Sequence, residues 1–395
     1  MSLAVRPFAA QRAGPAVAPF RVMVCDDSLT VRAAVCRILE SDPAITIIGR
    51  AGNGAEAVRL VPTLKPEVLI LDIEMPVLDG IAALPQLLKA DPQLKIVMAS
   101  TLTTRGADVA MQALRAGASD YVPKPTSAAA ILAEGSGAEP GFRHELLAKV
   151  KGLGALRRRS VAPGAFTAER NAKAAAGGTA PPPAHAAHAP ATPFTLARAG
   201  NAGPPRVLAV GSSTGGPQAL FALFGGLPKG FPLPVLVTQH MPKTFTPILA
   251  DHISKLGGMP CAEAVDGETL KPGHAYLAPG DCHMLVEPRK NALVVRLSDS
   301  PPENFCRPAV DPMLRSLVAA LGGRVLAVVL TGMGHDGLAG ARALVGAGGQ
   351  VLAQDEATSV VWGMPGAVAQ AGLAMAVLPL PRLPAKIIEL IGTRA

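Results

Sequence analysis

Twice along this chain, at 21–151 and again at 205–395, short β-branched apolar runs alternate with longer stretches of helical periodicity. That alternation is the signature of parallel strands joined by crossover helices, an α/β class. In the first stretch the predicted strands are 21–25, 45–49, 68–71, 95–99 and 121–122. Predicted helices cover 30–40, 55–64, 81–89, 107–116 and 143–151. Five strands and five helices in strict alternation make a small doubly wound domain. In the second stretch the clearest strands are 207–210, 235–238 and 325–330, each followed by a polar or glycine-rich turn. A hairpin at 284–296 interrupts the pattern and argues against a wholly parallel sheet.

Between the two stretches, residues 152–204 turn to Ala, Pro, Gly and isolated charges, as in Ala180-Pro-Pro-Pro-Ala-His-Ala-Ala-His-Ala-Pro190. With no apolar periodicity this reads as a linker, and His185 and His188 within it as solvated side chains. Residues 1–20 read as a disordered leader. The formal charge of +8 invites a nucleic-acid partner. Part of it is the run Arg157-Arg158-Arg159, taken as solvated, and no helix-turn-helix, zinc finger or aromatic-basic strand accompanies it, so none is expected. The five cysteines show no Cys-x-x-Cys spacing and suit reduced thiols in the cytoplasm. No apolar run reaches the roughly 18 to 20 residues of a membrane span, so direct membrane insertion is not expected.

In doubly wound sheets chemistry collects at the carboxyl ends of strands. Asp26 and Asp27 follow the first strand and Asp72 follows the third, its neighbour in such a sheet. Three converging carboxylates repel one another unless a cation sits among them, and an oxygen-only site suits Mg²⁺. Ser100 and Lys124-Pro125 follow strands four and five. Asp72 then has the surroundings of a nucleophile toward a phosphoryl group, with Lys124 neutralising charge and Ser100 donating to an oxygen. The set Asp26-Asp27, Asp72-Ile-Glu-Met-Pro-Val-Leu-Asp-Gly80, Ser100 and Lys124-Pro125 resembles a response-regulator receiver domain, which implies a flavodoxin-like fold over 21–151. The resemblance implies that Asp72 accepts phosphate from a histidine kinase, Asp26, Asp27 and Asp72 surround Mg²⁺, and Ser100 and Lys124 read the phosphoryl group. Tyr121 matches the position whose ring reports phosphorylation.

The second stretch carries Val207-Leu-Ala-Val-Gly-Ser-Ser-Thr-Gly-Gly-Pro217, which sets Ser213 in a Gly-x-Ser-x-Gly frame after an apolar run. Taken alone, it suits a serine nucleophile or a glycine-rich phosphate cradle equally, although the Gly-x-x-x-x-Gly-Lys lysine is missing. A nucleophile needs a base and an orienting acid. His240 ends the strand Val235-Leu-Val-Thr-Gln-His240, and Asp336 lies in Leu330-Thr-Gly-Met-Gly-His-Asp-Gly337. His274, His283 and Asp281 offer a weaker metal-site alternative. Gly211-Ser-Ser-Thr-Gly-Gly216, Thr238-Gln-His-Met241, Pro272 to Gly280, Arg307-Pro-Ala-Val-Asp311 and Thr331-Gly-Met-Gly334 resemble the chemotaxis protein-glutamate methylesterases of the CheB type. His335 departs from that pattern, which has a small polar residue there, and it could compete for Asp336. The resemblance implies that 205–395 hydrolyses glutamate γ-methyl esters on methyl-accepting chemoreceptors, with glutamine deamidation and no cofactor for hydrolysis. Ser213, His240 and Asp336 would form the triad, and the backbone N–H groups of Thr214 and Met333 would hold the oxyanion. It also implies that the unphosphorylated receiver covers part of the catalytic cleft.

Overall fold

The structure, a computed structural model, describes residues 18–101, 103–124, 142–161, 194–198, 200–290 and 292–392. The expected leader up to residue 17, Pro125, His185, His188 and most of the expected linker lie outside the described residues. The first unit runs β1 (Phe20–Cys25), α1 (Leu29–Glu40), β2 (Ile45–Ala51), α2 (Gly54–Leu64), β3 (Val68–Asp72), α3 (Gly80–Ala90), β4 (Lys95–Thr101), α4 (Thr104–Arg115), β5 (Asp120–Lys124) and α5 (Phe142–Val161). All pairings are parallel in the order β2-β1-β3-β4-β5. The central strand β3 is buried along its whole length, as a strand covered by helices on both faces must be. Asn53, Asp79 and Thr103 each accept a backbone N–H of the following helix, so α2, α3 and α4 begin where side-chain oxygens satisfy their free donors.

The second unit comprises β6 (Val207–Ser212), α6 (Gly216–Gly226), β7 (Val235–Gln239), α7 (Thr246–Gly257), β8 (Cys261–Glu263), β9 (Ala275–Leu277), β10 (His283–Arg289), β11 (Ala292–Ser298), α8 (Val310–Leu321), β12 (Val325–Val329), α9 (Leu338–Gly346), β13 (Gln350–Gln354), α10 (Met364–Gln370), β14 (Ala376–Leu378) and α11 (Leu383–Ile391). Seven strands pair in the order β14-β13-β12-β6-β7-β9-β8, all parallel. The hairpin therefore does not break the sheet: β10 and β11 form a separate antiparallel pair. Strand order reverses around β6, and this switch point opens a crevice at the carboxyl ends of β12, β6 and β7.

Helix α5 corrects two expectations. It continues to Val161, ten residues beyond the predicted end, through Gly152 and Gly154. These glycines mark close approach: a Cβ at Gly152 would lie 2.7 Å from the Val360 carbonyl oxygen, and one at Gly154 would lie 2.5 Å from the Phe20 ring. Nor are the arginines of this helix a solvated run. Arg157 pairs with Asp91 at 2.7 Å, Arg158 with Glu67 at 2.5 Å, and Arg159 reaches Glu356 of the second unit at 3.5 Å.

The two units share a seam built from α4, β5 and α5 against α6 and α7. The Tyr121 ring stacks on Phe245, centroids 4.7 Å apart, and the Lys149 ammonium lies 4.7 Å from the other side of it. Gln218 Nε2 donates to the Ala118 carbonyl at 2.6 Å, and His252 faces Asp108 at 3.4 Å. Asp120, 1% exposed, pairs with Lys149 at 3.3 Å and accepts the Gly215 N–H at 3.0 Å. Apolar contact is continuous from Met23 through Tyr121 to Phe245 and Leu208. Among the described residues no helix is long and apolar enough to cross a membrane.

Burial pushes the Asp120 carboxyl upward, and Lys149 opposes that rise. Lys149→Met should therefore destabilise the chain by about 3–5 kcal/mol at neutral pH, because it strands a buried charge. A carboxyl whose folded pKa lies above its unfolded one costs stability as pH rises, so the deficit should shrink in acid. Denaturant melts at acidic and neutral pH check this, and Lys149→Met/Asp120→Asn should recover most of the loss.

Candidate active site

In register, Val329 of β12 pairs with Gly211 of β6, and Ser212 of β6 pairs with Gln239 of β7. The residues just past these strand ends are thereby neighbours. Ser213 is fixed by its own backbone: its N–H donates to the Thr331 carbonyl at 3.0 Å, and its carbonyl accepts from Gly216 N at 2.7 Å and Gln239 Nε2 at 3.0 Å. The sharp exit into α6 needs Gly215, whose φ is +73°, and Gly216, where a Cβ would lie 1.8 Å from Gln239 Oε1. Ser212, the adjacent hydroxyl, is fully buried and donates inward to Gln239 Oε1 at 2.7 Å. Ser213 is left as the partly accessible hydroxyl of the turn.

The phosphate-cradle alternative does not suit this turn. Gly215 N–H is taken by the Asp120 carboxylate and Gly216 N–H by the Ser213 carbonyl. An anion placed there would meet a carboxylate instead of two free donors. By contrast, the backbone N–H groups of Thr214 and Met333 make no hydrogen bond among the described residues.

His240 is set beside the turn by its N–H bond to the Ser212 carbonyl at 3.1 Å. Its Nε2 lies 2.7 Å from Asp336 Oδ2, which leaves Nδ1 as the nitrogen for a serine proton. Among the described residues Ser213 Oγ makes no hydrogen bond to the ring; catalytic hydrogen bonds are often long before substrate binds. Asp336 is held by four further donors: Val310 N at 2.6 Å, Asp311 N at 3.1 Å, Gly337 N at 2.9 Å and Asn304 Nδ2 at 2.9 Å. Burial favours its neutral form, yet the His240 ring and these N–H groups hold the carboxyl below its ordinary value. Burial likewise opposes charge on His240, but the Asp336 carboxylate outweighs it, with Cys306 beside the ring, and the imidazole is raised well above 6.5. His335 is exposed and does not hydrogen-bond Asp336.

Four members of this network had no role in the sequence reading. Asn304 bridges two carboxylates, donating to Asp311 Oδ2 at 3.0 Å as well as to Asp336, and Asp311 in turn caps Gly340 N at 2.6 Å. Cys306 and Gln239 complete the group. Asp311 stood in a recognisable motif, Arg307 to Asp311, but Asn304 sat in a segment without periodicity. Among the described residues the alternative metal site of His274, His283 and Asp281 is not assembled. Buried His283 uses Nε2 at the Pro301 carbonyl and Nδ1 to accept Ala309 N–H.

At the carboxyl edge of the first sheet, ligand atoms of Asp26, Asp27 and Asp72 lie within 4.8 Å of one another, the one such cluster among the described residues. Lys124 Nζ is 2.7 Å from Asp72 Oδ1 and 3.3 Å from Asp26 Oδ2. Burial, with Asp26 adding repulsion against the Lys124 attraction, pushes Asp72 up to about 6. Three crowded oxygens around a strained carboxyl fit a hard divalent cation such as Mg²⁺. Ser100 is buried beside them with its Oγ on the Gly106 carbonyl at 2.7 Å, and a cleft of about 340 Å³ opens over Asp27, Asp72, Ser100 and Lys124. Tyr121 does not line this cleft. It is 4% exposed and lies in the seam.

Two family models match the chain: the response regulator receiver domain over residues 22–134 and the CheB methylesterase over residues 208–387. A protein-glutamate methylesterase/protein-glutamine glutaminase of Rhodospirillum centenum is 54% identical over 95% of this chain and 95% of its own. One from Paramagnetospirillum magneticum is 50% identical over 96% and 98%, and one from Azospirillum brasilense is 53% identical over 92% and 91%.

Titrating the His240 ring by NMR should give a pKa above 6.5 in the intact chain. Asp336→Asn should lower it by about 1–3 units, since burial then acts without its opposing charge. An unchanged value would separate the two side chains electrostatically.

Proposed function

Because the chain belongs to the protein-glutamate methylesterase/protein-glutamine glutaminase family, carboxylic-ester hydrolases with a receiver domain, we propose that it demethylates glutamate side chains of methyl-accepting chemotaxis receptors in the cytoplasm. Ser213, His240 and Asp336 carry the reaction. His240 Nδ1 accepts the Ser213 proton as Oγ attacks the γ-carbonyl carbon, and the free N–H groups of Thr214 and Met333 hold the developing oxyanion. The imidazolium then protonates the departing methoxide, which leaves as methanol. Water, deprotonated by His240, cleaves the acyl-enzyme and restores glutamate and Ser213. With a glutamine substrate the same steps release ammonia. Asp336 keeps the imidazole in one tautomer and stabilises its cation. The observation that carries this reading is the 2.7 Å contact of His240 with a five-donor Asp336, one strand away from the Ser213 turn.

Control is exerted through Asp72, whose carboxylate attacks the phosphorus of a phosphohistidine on a chemotaxis histidine kinase as the P–N bond breaks and the kinase imidazole leaves. Asp26, Asp27 and Asp72 would hold Mg²⁺, which would neutralise charge on the transferred oxygens. Lys124 pairs with the phosphoryl oxygens, and Ser100 donates to one of them. Support for coupling comes from the chain path: Lys124 and Tyr121 lie on one strand with Asp120, which holds the Gly215 N–H of the nucleophile turn. Phosphorylation loosens this seam and frees the cleft, a shift between two arrangements.

The test is methanol release from methylated receptor membranes, with and without acetyl phosphate and Mg²⁺. Ser213→Ala should lower turnover by about 10³-fold or more. A Ser213→Ala protein that still releases methanol at the native rate would sink the assignment. Asp72→Asn should leave the basal rate and abolish stimulation by acetyl phosphate.

A further inference from the structure

A two-residue turn, Asn304-Phe305, projects beside the hydrolytic site. Glu303 and Cys306 exchange both backbone bonds, at 3.1 Å and 2.9 Å, and the residues between them have φ of 53° and 63°. Two consecutive positive φ values define the tight hairpin turn that favours Asn followed by Gly. Here the second position is Phe305, a bulky side chain in a backbone region where such residues are genuine outliers. The ring gains no burial in exchange, since it is 79% exposed. A strained, exposed aromatic does nothing for folding, and strain of this kind persists where surrounding contacts enforce it at a functional site.

Those contacts tie the turn to the chemistry on both sides. Asn304, before the ring, donates to Asp336 and Asp311, and Cys306, after it, lies against the His240 imidazole. Glu303 pairs with Arg315 at 2.5 Å, and Arg307 donates to the Asp299 carbonyl at 2.7 Å. The backbone that carries the ring is thus held at a set place relative to the His240 imidazole, and an aromatic on a preorganised backbone has few rotors to lose on binding.

Resting on the esterase reading above, we infer that Phe305 is the residue by which the protein grips its protein substrate. The ring packs on an apolar side chain of the receptor helix one turn away from the reacting glutamate. On a helix, residues three and four apart are neighbours at about 5–6 Å, within reach of a tip anchored beside the His240–Asp336 pair. The reacting ester sits at the end of a flexible side chain, so binding energy from a neighbouring position is what brings its carbonyl to Ser213.

The experiment compares Phe305→Gly and Phe305→Leu with the native chain on methylated receptor membranes and on p-nitrophenyl acetate, which has no helix to grip. Phe305→Gly should lower kcat/KM for the receptor by about tenfold or more through KM, since a buried aromatic contact of ordinary size is lost. Activity on p-nitrophenyl acetate should stay unchanged, and the variant should melt no lower than the native chain because the turn now carries the residue it favours. Phe305→Leu should keep most of the receptor activity. Equal losses on both substrates would make the residue a mere support for His240, and an unchanged KM for the receptor would remove it from substrate binding; either overturns the inference. A native chain that hydrolyses neither ester, or a Ser213→Ala chain that hydrolyses both, instead defeats the esterase reading itself.

Discussion

The Asp336 carboxylate is the anchor of the second unit's working edge. It lies past the end of β12, yet its partners come from four directions: the His240 ring past β7, the first N–H groups of α8, Gly337 at the start of α9, and the Asn304 amide. A buried carboxylate tolerates its loss of water only when several donors replace it. Satisfying Asp336 therefore forces the ends of β7, β12 and α8 together, and with them the turn at Phe305. The same network stabilises the cation that His240 becomes once it holds a serine proton.

The seam between the two units depends on a comparable solution. Lys149 and Asp120 are both buried; Asp120 relies on Lys149 at 3.3 Å, and Lys149 also pairs with Glu145 at 2.8 Å. Their pairing puts a second carboxylate oxygen of Asp120 onto Gly215, two residues past Ser213, and sandwiches Tyr121 between Lys149 and Phe245. The strand that ends in Lys124, paired with Asp72 at 2.7 Å, thus begins against the Ser213 turn. Few residues separate the acidic cleft from the serine, so a small shift of β5 reaches both.

Much of this was legible before any coordinates. Apolar runs such as Val207 to Val210 and Val68 to Leu71 could be little other than buried parallel strands, and the polar residues that follow them had to gather at one edge. What escaped notice lacked periodicity or had misleading composition. Asn304 matters because of a turn whose backbone sits at positive φ, which one strand pattern cannot signal. Helix α5 ran on through two glycines because Val360 and Phe20 demand their small size, and the arginines that looked solvated found Asp91, Glu67 and Glu356 far away in the chain. The hairpin, read at 284–296, was visible, but that it stands apart from the main sheet was not.

The sequence by itself determined the two α/β units, the acidic strand ends, and the order in which serine, histidine and aspartate emerge, because local hydrophobic periodicity and turn chemistry act over a few residues. Tertiary structure alone decided that β12, β6 and β7 lie side by side, that His240 turns Nε2 to Asp336, and that the first unit rests on the Gly215 turn. Those outcomes depend on burying charges that need partners a hundred residues distant, and such partners are chosen by packing, where no stretch of sequence has a say.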